Sequence, residues 1–212
     1  GIVRQIQNRR RKTWGPRPIK GEVVWHNDLD TVPLESGEWL LLARNGYMLT
    51  ELENHCLTSG FSFESRFHSP LSSQTLKAIV LWEEMRKGKI LDKEQWGLVN
   101  RYRNNKSNPV TLKIWHEALD RISPYEREYF IAARRRGETL INKPRIRIST
   151  IHGAKGGEAD NVLLMTDLAP RSYNEMQQDY DNECRVFYVG VTRARNNLHL
   201  IQPRTNMAFN II

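Results

Sequence analysis

Arg145 to Asp167 reads RIRISTIHGAKGGEADNVLLMTD, and a second stretch downstream, Glu183 to Ile201, reads ECRVFYVGVTRARNNLHLI. In the first, the alternation Arg-Ile-Arg-Ile-Ser-Thr over residues 145–150 predicts a strand with one apolar and one polar face. Asn161 to Asp167 predicts another strand, buried on both sides. Between them lies HGAKGGEAD, residues 152–160, whose three glycines allow a close backbone approach to a ligand or a positive φ. The pattern G-x-x-x-x-G-K-[ST] occurs nowhere in the sequence, so this turn is not a Walker A loop. Taken alone, such a turn is either a plain connection between strands or part of a site.

The downstream stretch predicts a helix from about Asp179 to Ala194 and a last strand over Leu198–Ile201. Residues 204–212 then form an unstructured tail. Steps of four and three put Val186, Gly190 and Arg193 on one helical stripe. A glycine inside a helix is about 1 kcal/mol less favourable than alanine, so Gly190 suggests close packing. An arginine on a packed face needs an anionic partner. Two readings stand level: a salt bridge to a core carboxylate, or a guanidinium aimed at the γ-phosphate of a nucleotide bound by a neighbouring domain.

Working outward, GEWLLLAR over Gly37–Arg44 predicts a buried strand that ends in Arg44, Asn45 and Gly46. Polar residues at the carboxyl end of a parallel strand stand where open α/β sheets bind ligands. Glu22–Asn27 and Phe61–Arg66 predict flanking strands, and Tyr47–Thr58 a helix closed by Gly60. Gly1–Trp14 predicts a short helix with Ile2, Val3 and Ile6 on one side, stopped by GPRP at 15–18. The stretch containing Pro170 reads as a loop. From Ser72 to Leu140 the apolar spacing is helical throughout, which predicts an all-helical insertion. Its tryptophans suit packing between helices better than base stacking. The expected organisation is an α/β domain over 1–68 and 144–203, interrupted by a helical insertion over 69–143 and followed by the tail at 204–212.

The 212 residues carry a formal net charge of +8, a field that favours a polyanion partner without naming it. Residues 1–20 contain Arg4, Arg9, Arg10, Arg11, Lys12, Arg17 and Lys20 and no acid; Arg134, Arg135 and Arg136 form a second cluster. The longest apolar runs, Trp39–Ala43 and Val162–Met165, are far shorter than the roughly 20 residues of a membrane helix. The basic N-terminus lacks the apolar core of a signal peptide. A cytoplasmic protein without membrane contact is expected, with Cys56 and Cys184 as reduced core thiols. The histidines and cysteines have no ligand-like spacing, so no metal site is predicted.

STIHGAKGGEADNVLLM followed by ECRVFYVGVTRARNNLHLI closely resembles the last two motifs of the UvrD/Rep/PcrA-type superfamily 1 DNA helicases. Those motifs run roughly T-[IL]-H-x-[AS]-K-G-[LG]-E and, some thirty residues on, R-x-x-Y-V-[AG]-x-T-R-A-[RK]. LLLARNGYMLTELENHCLTSGF is similar to the family's strand-plus-helix segment ahead of its inserted domain. The resemblance covers residues 1 to 203, weakly across the helical part. It implies the second RecA-like domain of such a helicase: a P-loop NTPase-type parallel sheet with helices on both faces and an all-helical insertion.

By the same resemblance, Arg193 contacts the γ-phosphate of ATP, and Glu158 lies near its ribose. Gly156 and Gly157 belong to the nucleotide side. Thr150, His152, Arg44 and Asn45 lie on the single-stranded DNA side, with Lys155 and Gly156 shaping the loop between the two sites. Tyr188 and Thr192 support the helix that delivers Arg193. The implied partners are single-stranded DNA, DNA junctions and the N-terminal RecA-like domain of the same polypeptide, in repair or replication.

ATP with Mg²⁺ is expected to bind mainly to that other domain. Its Walker A lysine, its acidic Mg²⁺ pair and the family's N-Y-R-S segment have no counterpart in these residues. The chain is therefore expected to be a fragment, inactive by itself. Gly157 replaces a commoner leucine and Ala159 a commoner aromatic. Two other readings are a nucleic-acid-binding or partner-docking module with a degenerate nucleotide site, and a helicase-like subunit of a recombination nuclease.

Overall fold

The computed structural model describes residues 1–9, 20–65, 70–104, 113–154 and 156–211. Lys155 and the basic residues between positions 10 and 17 lie outside them. The chain divides into two compact units, one of Gly1–Cys56, Phe63–His68 and Pro144–Ile212, the other of Leu57–Ser62 and Ser69–Lys143.

Among the described residues, the first unit is built on six parallel strands: β1 (Glu22–His26), β2 (Trp39–Ala43), β3 (Phe63–Ser65), β4 (Ile146–Thr150), β5 (Ala159–Met165) and β6 (Ala194–Ile201). Their order across the sheet is β1-β6-β5-β2-β4-β3. The all-apolar β2 is fully buried and sits between β4 and β5, as a strand covered on both faces must. In β4, Ile146 and Ile148 are buried while Arg147 and Ser149 keep partial exposure, the period-2 alternation legible in its sequence.

Helix α1 (Leu49–Ser59) follows β2 and buries Leu49, Leu52 and Cys56. Helices α6 (Pro170–Gln178) and α7 (Tyr180–Val191) follow β5. Alternate residues of β2, β5 and β6, namely Leu40, Leu42, Val162, Leu164, Leu198 and Leu200, form one core with Met176, Cys184 and Phe187 of those two helices. This is the α/β, RecA-like architecture of a parallel sheet flanked by helices. Both cysteines are buried, and neither forms a disulfide.

The second unit contains, among the described residues, four helices: α2 (Ser73–Arg86), α3 (Lys93–Arg101), α4 (Trp115–Ala118) and α5 (Pro124–Arg136). Ser72, Asp92 and Ser123 cap α2, α3 and α5 by accepting backbone N–H bonds. Trp82 is buried and donates to the Lys113 carbonyl at 3.0 Å, and Trp115 stands edge-on to Phe130. Both tryptophans are thus packing residues. Residues 57–62 cluster here because Gly60 lies against the Ala132 backbone and Tyr129 donates its hydroxyl to the Phe61 carbonyl at 3.1 Å.

Four local expectations are corrected. Of the helix predicted over residues 1–14, the described residues 1–9 form only a 3₁₀ turn at Ile2–Arg4, because the backbone N–H groups of Gln7 and Asn8 turn aside to the Asp181 carboxylate at 2.7 Å each; residues 10–14 lie outside the described residues. The predicted loop at Pro170 is helix α6, opened by a proline at its first turn. Strand β6 begins at Ala194 rather than Leu198, paired with Ala159. The tail is ordered over 204–209: Arg204 and Thr205 donate backbone N–H to Asp167, and buried Phe209 stacks on Phe187 at 4.2 Å between ring centres.

Candidate functional site

Arg193 sits in the turn between α7 and β6, one residue beyond Thr192, which terminates the helix. Its backbone is fixed on both sides: its N–H donates to Gly190, and its carbonyl accepts from Ala159, each at 3.1 Å. The side chain folds back over the helix end. Its Nε donates to the Val189 carbonyl at 3.0 Å, Nη2 to the Thr192 hydroxyl at 3.3 Å and Nη1 to the Gly157 carbonyl at 3.4 Å. The unpaired carbonyls of a helix C-terminus attract a cation, which explains this pose. All three acceptors are neutral, and among the described residues no carboxylate pairs with Arg193.

The neighbouring arginines are compensated. Arg147 donates Nη2 to the Glu158 carbonyl at 2.6 Å and to Glu38 at 3.3 Å, while Arg195 pairs with the other oxygen of Glu38 and with Asp160. Arg147 and Arg193 therefore hold two consecutive carbonyls, those of Glu158 and Gly157. Glu158 itself projects its carboxylate to solvent, and Gly156 takes a φ of +84°.

The loop carrying those glycines crosses the sheet from one edge to the other. It leaves the carboxyl end of β4, where Ile151 donates to the Ala43 carbonyl at 3.0 Å, and reaches the amino ends of β5 and β6 by Gly157. A five-residue strand spans about 17 Å, so residues 151–158 connect sites that far apart. Thr150 organises the start of the loop, its hydroxyl accepting the Gly153 N–H and its carbonyl the Ala154 N–H, both at 3.0 Å. His152 is exposed.

At the carboxyl edge, Arg44 is committed to Glu183, with Nε at 2.6 Å and Nη2 at 3.2 Å. Asn45 is committed to α6: its Oδ1 accepts the Ala169 N–H at the helix start, and its Nδ2 donates to the Ser172 hydroxyl, each at 2.9 Å. Of the residues expected on the DNA side, His152 stands free and Thr150 is partly used. Arg44 and Asn45 are bound to the helices.

Residues 127–205 match the UvrD-like helicase C-terminal domain family. That stretch is similar to a UvrD-like helicase C-terminal domain. The matched stretch holds the crossing loop, α7 and Arg193, whereas β1, β2 and most of the insertion precede it. Among curated proteins none matches the chain.

Three residues of the candidate site escape a reading by motif. Glu183 lies in the motif stretch, but its partner Arg44 is 139 positions away. Glu38 and Arg147 meet only through the register that sets Trp39 opposite Ile146. The same folding brings His26 of β1 to His199 of β6, with Nε2 and Nδ1 2.9 Å apart and both rings buried. Burial, and then the nearby His26, lower the pKa of His199. The backbone N–H groups of Asn8 and then Gln7 lower that of Asp181. Burial raises that of Cys184, which keeps it a thiol. Among the described residues no group of three or more His, Cys, Asp or Glu side chains could hold a metal ion, and no helix is long and apolar enough to cross a membrane.

Proposed function

We propose that this chain supplies the arginine finger and part of the single-stranded DNA track of an ATP-dependent DNA helicase. It works against a first RecA-like domain that carries the Walker A lysine and the Mg²⁺ ligands. The observation that carries this reading is the state of Arg193, a half-buried guanidinium held in place by neutral oxygens and lacking a carboxylate partner among the described residues. Its Nη1 and Nη2 contacts, at 3.4 and 3.3 Å, lie beyond the usual 2.7–3.2 Å range and are readily exchanged for a stronger acceptor. A phosphate oxygen is such an acceptor, and a charge-assisted bond to it is about twice as strong as one to a carbonyl.

ATP, bound with Mg²⁺ on the first domain, supplies the phosphoryl group and the free energy of the cycle. Arg193 stabilises charge developing on that group, Gly156 and Gly157 admit it closely, and Glu158 faces the ribose. Thr150 and His152 face single-stranded DNA at the opposite edge, with Lys155 between the two. Residues 151–158 thus couple nucleotide to DNA. DNA junctions as substrates, a cytoplasmic setting and a role in repair or replication belong to the same reading.

The test is Arg193→Ala in the full-length protein, with ATP turnover and single-stranded DNA binding measured together. Turnover is expected to fall by about 10³-fold, the lower end for an arginine finger, with DNA affinity preserved. Loss of DNA binding with turnover intact would point instead to a binding module with a degenerate nucleotide site.

A further inference from the structure

Arg44 and Asn45 are adjacent at the carboxyl end of β2, and each grips one of the two helices that follow β5. Asn45 holds the first turn of α6 through Ala169 and Ser172. Arg44 holds the first turn of α7 through Glu183. The second grip is the stiffer one. Both grips are two-pronged, but this one is an ion pair whose side chains are only 15 % and 3 % exposed, so solvent screens it little.

Helix α7 is 12 residues long, a rod of about 18 Å, and Arg193 lies at its far end. Between the two ends, Gly190 seats the helix against Leu164 of β5 and Ile151 at the start of the crossing loop; a Cβ built at Gly190 would lie 3.5 and 3.6 Å from them.

We infer that Arg44 is a positioning residue for Arg193: by holding Glu183 it ties α7 to the DNA-side edge of the sheet, so that movement of that edge reaches the finger. This rests on the arginine-finger reading above. A direct DNA contact by Arg44 is disfavoured on physical grounds. To give its Nε and Nη2 to a phosphate it would have to abandon Glu183, leaving a buried carboxylate unpaired. The coupling thus runs along two routes, the loop 151–158 and the rod α7, which meet at Gly157 and Arg193.

The experiment compares Arg44→Ala, Arg44→Lys, Glu183→Gln and Arg193→Ala in the full-length protein, reading DNA-stimulated kcat, KM for ATP and Kd for single-stranded DNA. Arg44→Ala and Glu183→Gln are each expected to lower the stimulated kcat at least tenfold, with KM and Kd within twofold. Arg44→Lys, which can still pair with Glu183, recovers part of that loss.

Glu183→Gln keeps the side-chain shape, so it reads the role even if Arg44→Ala fails to fold. It also separates the alternatives. If Arg44 touches DNA directly, Arg44→Ala weakens DNA binding while Glu183→Gln leaves it unchanged or tighter, and the positioning role is overturned. An unchanged kcat in Glu183→Gln beside a collapsed kcat in Arg193→Ala overturns the positioning role alone. An intact kcat in Arg193→Ala overturns the finger reading and this inference with it.

Discussion

Arg44 and Glu183 form a two-pronged ion pair, 2.6 and 3.2 Å long, that joins the carboxyl end of β2 to the first turn of α7. With the Glu183 side chain 3 % exposed, removing Arg44 strands a charge in the interior. Arg44→Ala is expected to cost about 3 kcal/mol, and the double change Arg44→Met with Glu183→Leu much less, because no lone charge remains. Urea unfolding of the two variants measures the difference. Equal losses would mean that packing, and not the stranded charge, sets the cost.

Two glycines make opposite predictions. At Gly60, φ is +72° and an added Cβ would fall 2.5 Å from the Ala132 carbonyl carbon, so backbone must move. Gly60→Ala is expected to destabilise by about 3 kcal/mol, summing left-handed strain and overpacking. At Gly190 the added Cβ meets Leu164 and Ile151 at 3.5 and 3.6 Å, ordinary contact distances. Gly190→Ala is expected to stabilise by up to about 1 kcal/mol through helix propensity. Thermal unfolding of the pair should move in opposite directions; a shift of the same sign would contradict the packing described.

The buried His26–His199 pair makes stability depend on pH. Because the folded pKa of His199 is lowered, the unfolded chain binds its proton first as pH falls. The stability it contributes is complete above the ordinary imidazole value of about 6.5 and is lost as pH falls from there through the lowered folded value. Urea midpoints should hold steady from pH 8 to 7 and decline below about 6.5, before most carboxylates titrate. Imidazole NMR gives the residue-level check: His199 should still be neutral where a free imidazole is half protonated. A His199 titrating at or above the ordinary value would refute the burial argument.

The sheet is legible in the sequence where each strand carries its own signal. WLLLA in β2, the Ile-Arg-Ile alternation of β4 and NVLLM in β5 each state their burial locally. Helix α6, PRSYNEMQQ, buries only Ser172 and Met176, so no apolar stripe announces it, and the group holding its first turn is Asn45, 124 residues away. The tail is held by Phe209 on Phe187 and by Asp167, contacts that no short window contains. Ile2, Val3 and Ile6 imitate a helical stripe, but Asp181 takes the N–H groups that a helix would need.

The candidate site follows the same division. Arg193 and the glycine loop are legible as motifs, whereas the neutral surroundings of Arg193 and the pairing of Arg44 with Glu183 arise from register and helix placement. A motif names which residues gather near a ligand. Only the fold shows which of them are already bound to one another.

The central claim is that Arg193 acts on the transferred phosphoryl group. Single-turnover cleavage of the γ-phosphate in the full-length protein, at saturating ATP and single-stranded DNA, tests it most directly. Arg193→Ala should slow cleavage by about 10³-fold while both ligands still bind. Cleavage at the wild-type rate in that variant would contradict the account.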